Sequence, residues 1–443
     1  MNLESIRGNR LGTILQFSIP SIIAMVLTSL ITVVDGFFIG NYVGKEGLAA
    51  VNLGLPIVYL FLAVGLMVSV GGIAIAGIAM GSGDTHKCNE VFNQTMVTVT
   101  VLTAALAMVV LLCLEPMITV LKADVQVAGY FKEYYHVLLW QLPVMVINAS
   151  FGMFIRGEGN PQYFMKVNLL VVALNIALDY AFVRWLGWGV RGVAVASLIA
   201  TVAGICCALY FFAKKSRVYR LGRFRFSGDV LAKTVLNGFS EFIGEMSLCI
   251  SMFAYNYVIM KYIGVDGVSA FTIVGYVSYL FSMVLIGFGQ GVSPLISFSY
   301  GAGEAPLAAS LRKLTSRMVL AAGAVVFLLV AIGARWYGGL FVKNEAVERM
   351  VQSGMMVFAT SFLFSGINTI ASFYFTSIGK AKESAVISSS RGFVLLLICI
   401  FTLPPLLGMT GVWLAAPITE AVTLVVSLFF IAREGDTKVR ITG

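Results

Sequence analysis

Apolar segments of membrane-spanning length recur along the whole chain, and they constrain the fold more than any other feature. A helix of about 20 residues crosses the hydrocarbon layer of a bilayer. Twelve such segments are found, at 12–39, 52–79, 94–114, 133–155, 163–183, 190–213, 236–260, 270–298, 316–334, 352–375, 385–407 and 411–432. Only 12% of the residues are charged, against about 25% in an ordinary soluble domain. The sequence therefore predicts an all-α, polytopic membrane protein.

The basic residues predict how the chain is oriented in the membrane. An even number of spans places both termini on the same side. A cytoplasmic N-terminus puts most of the 30 Lys and Arg residues inside, as the positive-inside rule requires. The densest basic segment, KKSRVYRLGRFRF at 214–226, joins the sixth and seventh spans. We interpret the net charge of +9 as a topology signal with contact to anionic lipid, and not as a sign of nucleic-acid binding.

The two halves of the sequence resemble each other at one offset. A shift of 220 residues aligns YVGKEGLAA at 42–50 with YIGVDGVSA at 262–270, GSGD at 81–84 with GAGE at 301–304, and IN at 147–148 with IN at 367–368. This predicts an N-lobe at 1–213 with helices 1–6, a basic cytoplasmic connector at 214–235 and a C-lobe at 236–443 with helices 7–12. Because six spans is an even number, the pseudo-twofold axis should follow the membrane normal, with a central cavity between the lobes.

Several motifs, in this order and spacing, resemble those of the multidrug and toxic compound extrusion (MATE) transporters over essentially the whole chain. They are VVDGFFIGNYVGKEGLAAV at 33–51, RGEGNPQ at 156–162, NIALDY at 175–180, GVRGVAVAS at 189–197 and GFGQGVSPLISFSYGAG at 287–303. The resemblance implies two six-helix lobes in a V. It also implies export of cationic amphiphilic drugs or metabolites in exchange for H⁺ or Na⁺. Many members bind that cation in the N-lobe, and the matching residues here are Asp35, Asn175, Asp179 and Ser197.

The same four positions are unusual in their own right. Asn175 and Asp179 are four residues apart and share one helix face. At 1.5 Å per residue, Asp179 lies about 24 Å along its outward-running helix, so it belongs to the outer half of the bilayer. The family often has Pro where this chain has Tyr180, and Thr where it has Ser197. The alternative is that the two acids are structural groups, hydrogen-bonded to Asn175 and Ser197.

The C-lobe carries an acidic pair that breaks the internal symmetry. Glu241 and Glu245 are one helical turn apart, and their counterparts at the 220 offset are Ser21 and Met25. We expect the pair, with Gln290, to line the substrate cavity, where it would attract organic cations or carry protons. The alternative is a hydrated pair bridged to Lys233. Glu420 is expected to be structural and paired with Arg391.

The sequence thus favours a cation-coupled antiporter that is not an enzyme. Its expected partners are small organic cations and membrane lipid, with no nucleic acid. A monomer in the cytoplasmic membrane is expected. We expect no catalytic residues, and no metal beyond Na⁺ at the coupling site. No soluble cofactor or ATP is expected either, since the chain has no Walker A pattern. Two alternatives stay open: a flippase for a lipid-linked saccharide, and an intramembrane enzyme, which would need a nucleophile or metal site.

Overall fold

The computed structural model describes residues 2–121, 124–338 and 344–442. The helices of the first half are α1 (Leu3–Gly8), α2 (Arg10–Tyr42), α3 (Lys45–Leu53), α4 (Leu55–Gly81), α5 (Thr85–Leu121), α6 (Val125–Gly157), α7 (Pro161–Asp179) and α8 (Gly189–Tyr210). Those of the second half are α9 (Gly228–Tyr262), α10 (Val265–Gly301), α11 (Ala305–Tyr337), α12 (Glu345–Ala359), α13 (Phe362–Ser377), α14 (Ala381–Ser389), α15 (Leu395–Leu407) and α16 (Met409–Thr442). Short π-helical segments follow α7, α8 and α14, at Tyr180–Trp185, Phe211–Lys215 and Ser390–Val394.

The predicted membrane spans are confirmed. In the described chain, 11 helices are long and apolar enough to cross a membrane, and the pair α12 and α13 supplies a twelfth span bent by 45°. Each predicted apolar segment lies inside one of these spans. The helices continue past the apolar segments at both ends, because polar residues extend a helix into the interfacial region at no cost in buried polar groups. The chain is therefore an all-α, multi-pass membrane protein.

Proline has different effects in the first two spans. Helix α2 runs through Pro20 as one helix. In the second span, Gly54 separates α3 from α4, and Pro56 stands in the first turn of α4. This position suits proline, because the first turn of a helix needs no donor from it. The break thus lies just before Pro56.

Three groups of buried apolar side chains define the architecture. One lies in the first half of the chain and includes Phe61 and Tyr135. A second lies in the second half and includes Val351 and Trp413. The third combines residues of both halves, and its members lie at the helix ends next to the two termini. In the part of the chain that the structure describes, the molecule is thus two lobes that share a buried core at the end carrying the termini, here called the terminal face.

Glycines allow the lobes to touch at the terminal face. A Cβ atom on Gly238 of α9 would come within 1.7 Å of the Met67 carbonyl oxygen of α4. A Cβ on Gly71 of α4 would come within 1.9 Å of the Thr234 carbonyl oxygen. Helices α2 and α10 meet in the same way, where Gly291 faces the backbone of Ser18. Backbone approaches this close are possible only without side chains.

The connector is anchored to the N-lobe. Helix α9 begins at Gly228, earlier than the predicted start at 236, because Ser227 caps it by accepting from the Val230 N–H. Asn93 of α5 donates to the Arg220 carbonyl (2.9 Å) and accepts from the Gly222 N–H (3.0 Å). The N-terminal segment makes a corresponding contact with the other lobe. Its Arg7 pairs with Glu304 of the C-lobe at 2.6 Å.

Candidate functional site

The structure brings together the four residues of the expected cation site. They come from three helices: Asp35 from α2, Asn175 and Asp179 from α7, and Ser197 from α8. The Asn175 amide donates to Ser197 Oγ (3.0 Å) and to Asp35 Oδ1 (3.4 Å). The Ser197 hydroxyl donates to Asp35 Oδ2 (3.1 Å). The Ser197 hydroxyl therefore provides the hydrogen-bonding oxygen at the position where the family often has threonine.

Asp179 is the fourth residue of this cluster, and its carboxylate receives no hydrogen bond from Asn175 or Ser197. It is fully buried, as is Asn175, whereas Asp35 is half-buried. Asp35 and Asp179 interact electrostatically. Among the described residues, no N–H or hydroxyl donor reaches either carboxylate oxygen of Asp179 or the Asn175 Oδ1 atom. The hydrogen-bond partner of Asp179 is the Asp35 carboxyl group, with which it can share a proton. Burying an oxygen acceptor without a hydrogen bond costs free energy, unless the oxygen binds a proton or a cation. The cluster can therefore hold a proton between the two acids, or a hard cation on oxygen ligands.

A change of helix type fixes the position of Asp179. It is the last residue of α7, and the π-helical segment Tyr180–Trp185 begins directly after it. Tyr180, which replaces the proline of many family members, starts this wider turn and is exposed. Such π-helical turns often occur at functional sites in membrane and soluble helices alike. The departure from the family pattern thus coincides with a local change in backbone geometry.

The sequence reasoning missed Tyr134. This buried residue of α6 interacts electrostatically with both Asp35 and Asp179. Comparison of the two halves could have identified it, because its counterpart at the 220 offset is Gly354. In the C-lobe, the counterparts of Asp35 and Asp179 are Tyr255 and Cys399, which also interact with each other. The corresponding positions of the two lobes are therefore near each other, but in the C-lobe they carry no carboxyl pair.

Glu241 and Glu245 lie together on α9 and are partly buried. Gly244, between them, has no atom within 4 Å of a Cβ position, so this part of α9 faces open space. Glu245 interacts electrostatically with Tyr59 of the N-lobe and Tyr279 of the C-lobe. The bridge to Lys233 is not formed, since Lys233 pairs with Asp229 at 2.6 Å.

Tyr59 and Tyr279 are themselves 220 residues apart, so they are counterparts in the two lobes. Their shared partner, Glu245, therefore lies near the pseudo-twofold axis. An acid with two tyrosines offers negative charge and aromatic faces to a cation.

Two other polar residues hold the structure together. Gln290 accepts a hydrogen bond from Arg156 Nη2 (2.9 Å) and so joins the C-lobe to the N-lobe. Glu420 pairs with Arg391 (2.7 Å), as predicted, and also accepts from the Asn368 amide (2.8 Å). Glu420 thus belongs to a polar network inside the C-lobe.

Comparison with known proteins identifies the family. The MatE family model matches residues 20–181 and 242–402, most of both lobes. The chain belongs to the MatE family. Among curated proteins, it is 21% identical over 419 residues to the multidrug export protein MepA of Staphylococcus saprophyticus, covering 94% of this chain and 92% of that protein. It is 23% identical over 431 residues to MepA of Staphylococcus haemolyticus, with the same coverage.

Solved structures share the fold of this MatE protein. One is a multidrug resistance MATE family transporter in an outward-facing conformation, with a TM-score of 0.90 at 23% identity over 96% of both chains. Another is a MATE structure in a bent conformation, with a TM-score of 0.91 over 99% of this chain and 98% of that one. A MOP superfamily transporter from Pyrococcus furiosus, noted for a binding pocket of reverse polarity, has a TM-score of 0.88 over 94% of both chains. The two-lobed fold is therefore that of MATE structures.

Proposed function

We propose that this chain is a cation-coupled antiporter that exports cationic amphiphilic drugs or metabolites by alternating access. The observation that carries the proposal is the buried cluster of Asp35, Asn175, Asp179 and Ser197, in which two carboxyl groups meet unpaired acceptors. Intramembrane acids that line no structural ion pair are typical of ion pathways. The relatives named as multidrug export proteins support the substrate class.

The coupling ion acts, in this proposal, on helix α2. This helix carries Asp35 at one level and, nearer the terminal face, Ser18, which packs against Gly291 of the C-lobe. A proton or Na⁺ that binds Asp35 and Asp179 favours one arrangement of α2, and through α2 one arrangement of the lobes. An organic cation must favour the other arrangement for export to be coupled.

The organic cation would bind at Glu241 and Glu245, between Tyr59 and Tyr279. A carboxylate beside aromatic rings suits a bulky cation with apolar parts. A lipid-linked saccharide carries phosphate, so its flippase would need a basic cavity. The acids of α2, α7 and α9 therefore favour the antiporter. The ion gradient supplies the energy, so the proposal includes no ATP and no cofactor.

The proposed orientation has both termini in the cytoplasm. With that orientation, the closed terminal face lies inside and the structure is open to the outside. The basic segment at 214–226 would face anionic lipid of the inner leaflet. Labelling of single cysteines at His86 on the terminal face and at Val125, at the start of α6 on the opposite face, in intact cells tests this. If an impermeant reagent labels position 86 but not position 125, the terminal face lies outside and the proposed orientation is wrong.

Transport by the purified protein tests the function. Proteoliposomes are loaded with a fluorescent organic cation, and its movement is followed under an imposed proton gradient and then a sodium gradient. We expect one gradient to drive wild-type transport and the Asp179→Asn variant to lose that response. Asp229→Asn, at an exposed acid of α9, is the matched control and should behave as wild type. A wild-type protein that responds to neither gradient, or an Asp179→Asn variant that responds normally, contradicts the proposal.

A further inference from the structure

Arg156 is a buried cation at the contact between the lobes. Its side chain is only 2% exposed, near the end of α6 at the terminal face. Nη2 donates to Gln290 Oε1 (2.9 Å), and the guanidinium lies 5.2 Å from the centre of the Phe164 ring. Among the described residues, no acceptor reaches Nε or Nη1. Its two contacts, an amide oxygen and a ring, leave the positive charge without a counter-charge.

Two partly buried arginines of the C-lobe differ in this respect. Arg391 pairs with Glu420 (2.7 Å), and Arg312 interacts electrostatically with Glu434. Arg156 belongs to no ion pair of the described chain, and no charged side chain has a marked electrostatic effect on it. A buried charge without a partner is strongly unfavourable, so proteins normally supply a counter-ion. At Arg156 the counter-ion does not come from the described protein side chains.

The guanidinium lines a small cavity between the lobes. The cavity has a volume of about 20 Å³, enough for one particle of about the size of a water molecule. Its wall includes Val70 and Arg156 of the N-lobe and Gln290, Ser293 and Phe373 of the C-lobe. The polar side chains on this wall are Arg156, Gln290 and Ser293, whose hydroxyl shares a 2.6 Å hydrogen bond with the Ser377 hydroxyl. No carboxylate is among the residues that line the cavity. The wall is therefore suited to a single negative charge of small radius.

We propose that this cavity binds one small anion, a halide such as chloride, beside the Arg156 guanidinium, whose positive charge has no counter-charge among the described side chains. The site belongs to both lobes, since Arg156 lies on α6 and Gln290 and Ser293 lie on α10. An anion bound there stabilises the state in which the terminal face is closed, because the site is complete only in that state. This inference goes beyond the proposed function and does not rest on it.

The test uses the full-length purified protein in detergent. Thermal unfolding is measured in sodium chloride, sodium bromide and sodium gluconate at equal ionic strength. We expect a saturable rise of the unfolding midpoint in the two halides and none in gluconate. Crystals grown in bromide should show an anomalous peak beside the Arg156 guanidinium. Equal midpoints in the three salts, with no bromide peak at Arg156, would overturn the proposal, and the cavity would be a water site.

A substitution that supplies the counter-charge tests the location. Gln290→Glu places a carboxylate at the position from which Gln290 contacts Arg156, so the halide response should disappear. Its unfolding midpoint in gluconate should be at least that of wild type. Gln352→Glu, at an exposed glutamine of α12, is the matched control and should keep the halide response. A halide response that survives Gln290→Glu would place the anion elsewhere. The bromide peak in the wild-type protein decides the matter if the variant does not fold.

Discussion

The Ser197 hydroxyl donates a hydrogen bond of 3.1 Å to the Asp35 carboxylate and so connects α8 to α2. Asn175 of α7 donates to both residues. Three helices of the N-lobe therefore meet at one carboxyl group. Helix α2 also packs on the C-lobe, where Ser18 meets Gly291. In the proposed mechanism, a change in the charge of Asp35 would therefore act on a helix that contacts both lobes.

Ser197 tests this connection. In Ser197→Ala the hydroxyl is lost, and a hydrogen bond to a charged group contributes about 1.5–3 kcal/mol. If Na⁺ is the driving ion, we expect its half-saturating concentration to rise roughly tenfold or more, with the protein still folded, because the site loses an oxygen ligand. If H⁺ drives transport, the half-saturating proton concentration should fall instead, because the lost hydroxyl no longer stabilises the charged form of Asp35. Ser197→Thr keeps the hydroxyl and should remain within a few-fold of wild type. Transport rate as a function of ion concentration in proteoliposomes measures both. Equal ion dependence in Ser197→Ala and wild type would show that the hydroxyl has no role.

Glu245 should govern substrate charge and not ion coupling. In Glu245→Gln the shape is kept and the charge is removed. We expect the affinity for monovalent organic cations to fall about tenfold, or about 1.4 kcal/mol, with the affinity for neutral analogues unchanged. Binding of matched charged and neutral dyes to the purified variant measures the difference. An equal loss for both kinds of dye would mean that Glu245 supports the fold of the cavity instead.

Glu420 should matter for stability. Glu420→Gln leaves Arg391 without its acid, and loss of one partner from a buried ion pair costs about 3–5 kcal/mol. We expect the lower end of that range or less, because the Arg391 side chain is 31% exposed. Thermal unfolding in detergent should show the loss. Adding Arg391→Met should recover part of it, whereas an additive loss in the double variant would mean that the two side chains act independently.

Sequence reasoning could predict the spans and the helix face shared by Asn175 and Asp179, because hydropathy and helical spacing are local properties. The clustering of Asp35 with Asp179 joins two distant helices, and its prediction comes from the resemblance to the family. Sequence reasoning could not predict the 45° bend between α12 and α13 or the π-helical turn after Asp179, since no residue at either place is specific to such a break. Tyr134 is one of 17 tyrosines, and only the packing of α6 brings it to the acids.

Gln290 shows the same limit. From the sequence we expect it with Glu241 and Glu245 at the substrate cavity, but its hydrogen-bond partner is Arg156, 134 residues away in the chain. A contact between lobes depends on how both lobes fold. Hydropathy and motif spacing within each half therefore do not determine it.

The close approach of Gly238 to Met67 should control which face of the molecule is closed. A Cβ atom on Gly238 would come within 1.7 Å of the Met67 carbonyl oxygen. This oxygen belongs to the backbone of α4, so the clash can be relieved only if α4 and α9 move apart. In Gly238→Ala we therefore expect the lobes to part at the terminal face, as in an inward-open state. Spin labels at positions 86 and 313, on α5 and α11, report the distance between the lobes there in a background without native cysteines.

Gly244→Ala is the matched control for this experiment. It lies on the same helix, but its Cβ would have no atom within 4 Å, so the distance between the labels should equal that of the labelled parent protein. A longer distance in Gly238→Ala alone would assign the closure to the glycine contact. The same distance in both variants would mean that α4 and α9 separate without changing the terminal face. In that case the closure would depend on α2 and α10, where Gly291 meets Ser18.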